Sequence, residues 1–208
     1  MRGDGGLLEM SINSNSDPVK FAELVGEWLS DLGYSHCFFV AGGAIMHLLD
    51  SFRTRFICVP VVHECTAGIA AEHFNECSHG GARAFALVTT GPGLTNIVTA
   101  IAGCYAEHRE LLVIAGQVKS ADLRRAPERQ YGVQEVPGEE LCAPVSVRSV
   151  CLREPVSRTK FLRLVQQGWG PHPGPIIIEI CLDVQGIRIT KHNNNGDHQS
   201  KYVHSLDP

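Results

Sequence analysis

Apolar residues recur along this chain at two spacings. Phe21, Leu24, Val25, Trp28, Leu29 and Leu32 follow one another every three or four residues, which is the period of one helix face. Gly33 stops that helix, and Ser16 or Asp17, with Pro18 at the first turn, is expected to open it. Residues 36–40 then read as a strand, which Gly42 and Gly43 turn into a short helix carrying Ile45, Met46, Leu48 and Leu49. The alternation continues as strand 56–62, helix 66–77, strand 85–89, helix 94–106 and strand 111–116. A helix over about 154–167 and a last strand over 176–180 close the series. The strand candidates are short apolar runs, as expected where both faces of a sheet are covered. Strands alternating with helices imply parallel pairing through right-handed crossovers, hence an α/β fold.

The periodicity collapses between residues 117 and 143, a stretch rich in Arg, Gln, Glu and Pro. Loops of that length inside compact domains are usually functional or mobile. Residues 1–15 are rich in Gly, Ser and Asn and are expected to be flexible; residues 16–187 form one domain. Residues 188–208, including the run 191–197, lack a core-forming pattern and are expected to be a disordered tail. With 18 Lys and Arg against 22 Asp and Glu and no basic stripe, nucleic acid is not an expected partner. No apolar run approaches the roughly 18 to 20 residues of a membrane span, and Leu7-Leu8 is too short for a signal peptide. The eight cysteines include no C-x-x-C pair, and Cys58, Cys104 and Cys181 read as buried small hydrophobes in a reducing compartment. A cytoplasmic location is expected.

Glu64 is the first residue with evident chemistry. It follows the apolar run 56–62 and precedes a small-residue helix containing Gly68, Ala70 and Ala71. That puts a carboxylate at the carboxyl end of a strand, where open α/β sheets bind their ligands. Lost hydration there is expected to raise its pKa. The alternative is an exposed loop glutamate beside His63. A second candidate is Thr90-Gly91-Pro92-Gly93-Leu94-Thr95-Asn96, between a strand and a helix, whose glycines let the backbone approach a ligand. His63 and Cys65 could be a nucleophile pair, but residues two apart at a strand end diverge and no third orienting group stands out. Gly91-x-Gly93 is not a dinucleotide fingerprint, because Asn96 replaces its third glycine.

These pieces stand in order with others: Gly42-Gly43, His63-Glu64, Thr90-Gly91-Pro92-Gly93 with Asn96, Gly116-Gln117, Gln134-Glu135, and Gly174-Pro175 through Asp183-Val184-Gln185. Over about residues 19–186 the chain resembles the pyrimidine-binding domain of thiamine diphosphate enzymes, specifically the acetolactate-synthase-like group. The resemblance implies a flavodoxin-like, three-layer α/β/α fold with a mostly parallel sheet of about six strands. It implies that Glu64 hydrogen-bonds N1′ of the cofactor's aminopyrimidine and favours the tautomer that removes the C2 proton. Gly42 and Gly43 would give close backbone approach to the cofactor, Gly91, Pro92 and Asn96 would line the pyrimidine side, and Gln134 would face the reacting centre. The sequence departs from the group's pattern at Ala41, Val133 and Leu182, and Glu107-His108-Arg109-Glu110 replaces its usual D-S-x-P.

The implied cofactor is thiamine diphosphate with Mg²⁺; FAD is not expected. In this family the diphosphate and metal are held by a second domain bearing G-D-G and N-N, and Asn195-Gly196-Asp197 is no substitute. No metal ligand is therefore expected in this chain. The expected activity is that of a carboligase or decarboxylase acting on a 2-oxo acid, in a homodimer or with a cognate pyrophosphate-domain subunit. Residues 67–71 and 97–106 are the expected pairing helices. The alternative is a non-catalytic binding or regulatory module that keeps the fold and the dimer surface.

Overall fold

A computed structural model of the protein describes residues 17–78 and 81–190; the expected flexible start (1–15) and the tail run 191–197 lie outside them. The first elements are β1 (Val19–Lys20), α1 (Phe21–Asp31), β2 (Tyr34–Phe39), a 3₁₀ turn over Gly43–Ile45, α2 (Met46–Phe52) and β3 (Ile57–Pro60). They are followed by α3 (Glu64–Cys77), β4 (Arg83–Val88), α4 (Pro92–Ala106) and β5 (Leu111–Gln117). After a long loop come α5 (Gly138–Cys142), β6 (Arg148–Leu152), α6 (Arg158–Gln166), β7 (Pro175–Cys181), α7 (Leu182–Gly186) and β8 (Arg188–Ile189). Six strands pair in the order β3-β2-β4-β5-β7-β6, and every one of those pairings is parallel. This is the three-layer α/β/α fold, with a sheet more uniform than the mostly parallel one expected.

Side-chain alternation on the central strands divides the core in two. Leu112 and Ile114 join Phe21, Trp28, Phe52 and Phe161 on the α1, α2 and α6 side. Leu111, Val113 and Ala115 join Ala67, Leu94, Ile97 and Ala100 on the α3, α4 and α5 side. The second layer is built from small residues, so helix and sheet lie close: a Cβ on Gly68 would sit 2.5 Å from that of Ala100. Ala67, Gly68 and Ala71 are thus spent within the chain, against α4. Ile69, 45% exposed, keeps an outward face on the same stretch.

Other expectations shift for local reasons. Val19–Lys20 pairs antiparallel with Arg188–Ile189, so α1 begins after Lys20 and not at Ser16 or Asp17. This pairing also carries ordered chain past residue 187. Residues 56–62 are not a buried strand: β3 is the sheet edge, with Ile57 60% exposed and Val62 98% exposed. Cys58 on that edge is only half-buried, unlike Cys104 and Cys181. Ser157 caps α6, its side chain accepting from Lys160 N, which starts the helix after Pro155 and not at residue 154. β6, which the apolar pattern did not indicate, is the other edge. The charged run before β5 is fully engaged. Arg109 pairs with Glu72, Glu76 and Glu107, and Glu110 accepts from Trp169 Nε1 at 2.8 Å and pairs with Arg83 at 3.2 Å. Among the described residues, no helix is long and apolar enough to cross a membrane.

Candidate functional site

β2 leads outward to β3 on one side, while β4 lies on its other side, so the strand order reverses between β2 and β4. Ligands of open α/β sheets bind at such a reversal, beyond the carboxyl ends of the strands. Gly42 and Gly43 follow β2, Glu64 follows β3, and Gly91 to Asn96 follow β4, so the fold gathers these candidates at one end of the sheet.

Glu64 is the first residue of α3, not a loop residue, and it is 8% exposed. Its Oε2 accepts from Asn96 Nδ2 at 2.9 Å, while its Oε1 has no hydrogen-bond partner among the described residues. His63, beside it, is the helix cap: its Nδ1 accepts from Cys65 N at 3.2 Å. That contact accounts for His63 and Cys65 without a nucleophile pair. Asn96 is a side-chain partner of Glu64 rather than a cap, and Pro92 is the first residue of α4, where a missing N–H costs nothing.

Thr89, which sequence reasoning passed over, is the packing centre of the site. A Cβ on Gly42 would lie 2.4 Å from Thr89 Cβ, and one on Gly93 2.8 Å from Thr89 Cγ2 and 3.5 Å from Glu64 Oε1. Thr89 Oγ1 also accepts from Ala44 N at 3.3 Å. A Cβ on Gly43, by contrast, would meet no protein atom within 4 Å.

Gly91 has φ +64°, and its missing Cβ would fall 2.2 Å from Gln134 O. Gln134 itself takes φ +58° and is exposed, and the long loop lays its carbonyl and Cβ on the β4–α4 turn. Gly91→Ala is therefore expected to destabilise the chain by about 2–4 kcal/mol, from φ strain plus a backbone clash. Urea denaturation checks this; an unchanged midpoint would mean that Gln134 does not sit there.

Residues 19–141 match the family model described as "Thiamine pyrophosphate enzyme, N-terminal TPP binding domain". The chain belongs to this thiamine pyrophosphate enzyme family. It is 30% identical over 169 residues to the acetolactate synthase large subunit of Buchnera aphidicola, covering 78% of this chain and 28% of that protein. Identity to the acetolactate synthase large subunit of Lactococcus lactis is 28% over 181 residues, 85% of this chain and 30% of that one. To 2-hydroxyacyl-CoA lyase 2 of Danio rerio it is 34% over 172 residues, 80% of this chain and 26% of that one. The chain thus spans under a third of the length of these relatives.

The family match extends over the loop that the apolar pattern could not read. Glu135, 6% exposed, accepts from the backbone N–H of Arg124, Tyr131 and Gly132 at 2.6, 2.9 and 3.1 Å. Burial works to raise its pKa, but these three donors outweigh it and hold the carboxyl below its usual range. Beneath the loop lies a cavity of about 200 Å³ whose wall includes Gln117, Arg124, Glu135, Cys151, Arg153 and Glu179. Glu179 is 1% exposed on β7, and burial, then the Cys151 sulfur, push its pKa up to about 8. A single acid inside the run Pro175–Cys181 was a visible signal that sequence reasoning did not use.

Proposed function

We propose that this chain is the pyrimidine-binding half of a thiamine-diphosphate-dependent carboligase or decarboxylase acting on a 2-oxo acid. The observation that carries the reading is Glu64: a buried carboxyl with one oxygen fixed by Asn96 and the other free, at the strand-order reversal. The residues present fit the cofactor's pyrimidine. Glu64 Oε1 offers a ring nitrogen a hydrogen bond, and Gly43, whose missing Cβ would meet no protein atom within 4 Å, leaves backbone within reach. When bound, thiamine diphosphate supplies a carbanion equivalent that attacks the 2-oxo acid carbonyl. Glu64 holds and exchanges the proton at Oε1, Asn96 orients that carboxyl, and the loop carrying Gln134 covers the site from water.

Among the described residues, no group of three or more His, Cys, Asp or Glu side chains is placed to hold a metal. A diphosphate with Mg²⁺ needs hard oxygen ligands, so a pyrophosphate-binding domain is the partner this reading requires. Met46 at 55%, Val62 at 98% and Val133 at 84% exposure flank Gly43, Glu64 and Gln134 in sequence. Large exposed apolar side chains at one end of a sheet favour a covering partner there, either a second copy or the cognate subunit.

The expected result of calorimetric titration is weak binding of thiamine diphosphate with Mg²⁺ to this chain alone, and clearly tighter binding once a pyrophosphate domain is added. Equal affinity in both arms would refute the division of the site. Sedimentation of the pair is expected to show association that Val62→Asp weakens, since a charge would be buried unpaired. The 34% identity to a 2-hydroxyacyl-CoA lyase favours a second reading, cleavage of a 2-hydroxyacyl thioester. Supplying the paired complex with pyruvate or with a 2-hydroxyacyl-CoA separates the two. Turnover of neither, with no C2 proton exchange in bound cofactor, would mark a non-catalytic binding module.

A further inference from the structure

We propose that Glu179 is a positioning residue: through Gln117 and Thr90 it holds the 117–143 loop so that Gln134 rests on Gly91. Its consequence for turnover rests on the reading of Gln134 given above, but the connection itself stands on geometry alone.

Glu179 Oε1 accepts from Gln117 Nε2 at 2.7 Å, and the same Nε2 donates to Val136 O in the loop at 2.9 Å. Gln117 Oε1 accepts from Val118 N at 2.9 Å and from Thr90 Oγ1 at 2.8 Å. Both donors and both acceptor positions of the amide are thus occupied. Turning it over would set its NH₂ against Val118 N–H and its oxygen against Val136 O, so its orientation is fixed. Thr90 Oγ1 also lies 3.4 Å from Gln134 O, next to the backbone contact with Gly91. At the far end of the loop a Cβ on Gly138 would fall 2.5 Å from Glu179 Oε1, so the chain there is laid directly on the carboxyl. One buried acid therefore touches the loop at Gly138 and, through one fully bonded amide, at Val136 and Gln134.

The charge on Glu179 is what can change this seating. Facing it are Glu139 and Glu140 of α5, Arg124 of the loop, Cys151 of β6 and Arg153 just after that strand. Glu135 shares that cavity but is committed to loop N–H groups. Cys142 and Cys181 lie close on the remaining sides, their thiols raised first by burial and by the Cys151 contact respectively. Arg124 is held by both oxygens of Glu140, at 3.0 and 2.8 Å. An ionised Glu179 repels the Glu139 carboxylate while drawing harder on the Glu139 N–H and on Gln117 Nε2, which shifts the seating of the loop from beneath. A neutral one leaves the network as described.

The test uses amide NMR on this chain alone, without cofactor or partner, so it stands or falls separately from the catalytic reading. Between pH 6 and 9 the amides of Thr90, Gln134, Val136 and Gly138 are expected to titrate together, with a midpoint near Glu179's value of about 8. In Glu179→Gln they should stay at their low-pH positions throughout. Thr90→Val keeps shape but removes the hydroxyl; it should shrink the Gln134 response while leaving that of Val136 and Gly138. The proposal is overturned if the loop amides titrate unchanged in Glu179→Gln, or if Thr90→Val leaves the Gln134 response intact.

Discussion

Glu64→Gln, in a complex completed by its pyrophosphate domain, is expected to lower turnover by about 100- to 10,000-fold, the usual cost of losing an acid–base group. The substitution keeps the shape of the side chain and its contact with Asn96 Nδ2, through the amide oxygen. What it removes is the ability to take and return a proton at the other oxygen. Cofactor affinity should change far less, because the reading puts the diphosphate contacts on the other domain. Stability should be nearly unchanged, since the amide keeps the volume of the carboxyl and its contact with Asn96. His63→Gln, which alters only the helix cap, should cost about 1 kcal/mol of stability and little rate. The decisive measurement is exchange of the cofactor C2 proton in deuterated water. If Glu64→Gln exchanges as fast as the parent, Glu64 is not the activating carboxylate.

Why Glu64 was legible and the network behind it was not is a matter of range. The strands of the sheet's middle carry near-continuous apolar runs, because both faces are covered, and those runs can be counted along the sequence. Glu64 and Gly91 stand out because each breaks a local rule beside such a run. The two sheet edges were harder. β3 reads as a covered apolar run yet lies exposed at the edge, and β6 mixes Arg, Ser and Cys, so the pattern misjudged one edge and missed the other. Thr89, Gln117 and Glu179 take their roles from partners 27 to 62 residues away in the chain, as between Thr90 and Gln117 or Gln117 and Glu179. Spacing along a sequence carries no information about such contacts. The small residues of α3 suggested a close helix contact correctly, but could not say whether the second helix belonged to this chain or to another.

Glu179 is also expected to make the chain less stable in mild alkali. Its carboxyl is neutral in the fold up to about pH 8, against an ordinary value of 4.5 once unfolded. Between those values the folded state holds a proton that the unfolded state has released, so stability falls as pH rises and levels off above about 8. At about 1.4 kcal/mol per pH unit the full effect is on the order of 5 kcal/mol, a large share of the 5–15 kcal/mol that holds a typical domain folded. The other shifted groups act outside this window or against it. Glu135, held low by loop N–H groups despite the opposing effect of burial, contributes stability that is lost only as pH falls below the carboxylate range. His47, lowered by burial and then by Lys20, adds stability as pH rises towards 6.5 and nothing further above it. Urea midpoints should therefore drop between pH 6.5 and 8.5 in the parent and stay level in Glu179→Gln, leaving the variant the more stable of the two at the higher pH. Parallel profiles for the two proteins would show that this carboxyl is already ionised in the fold at pH 6.5, and that the strand run Pro175–Cys181 carries a buried charge.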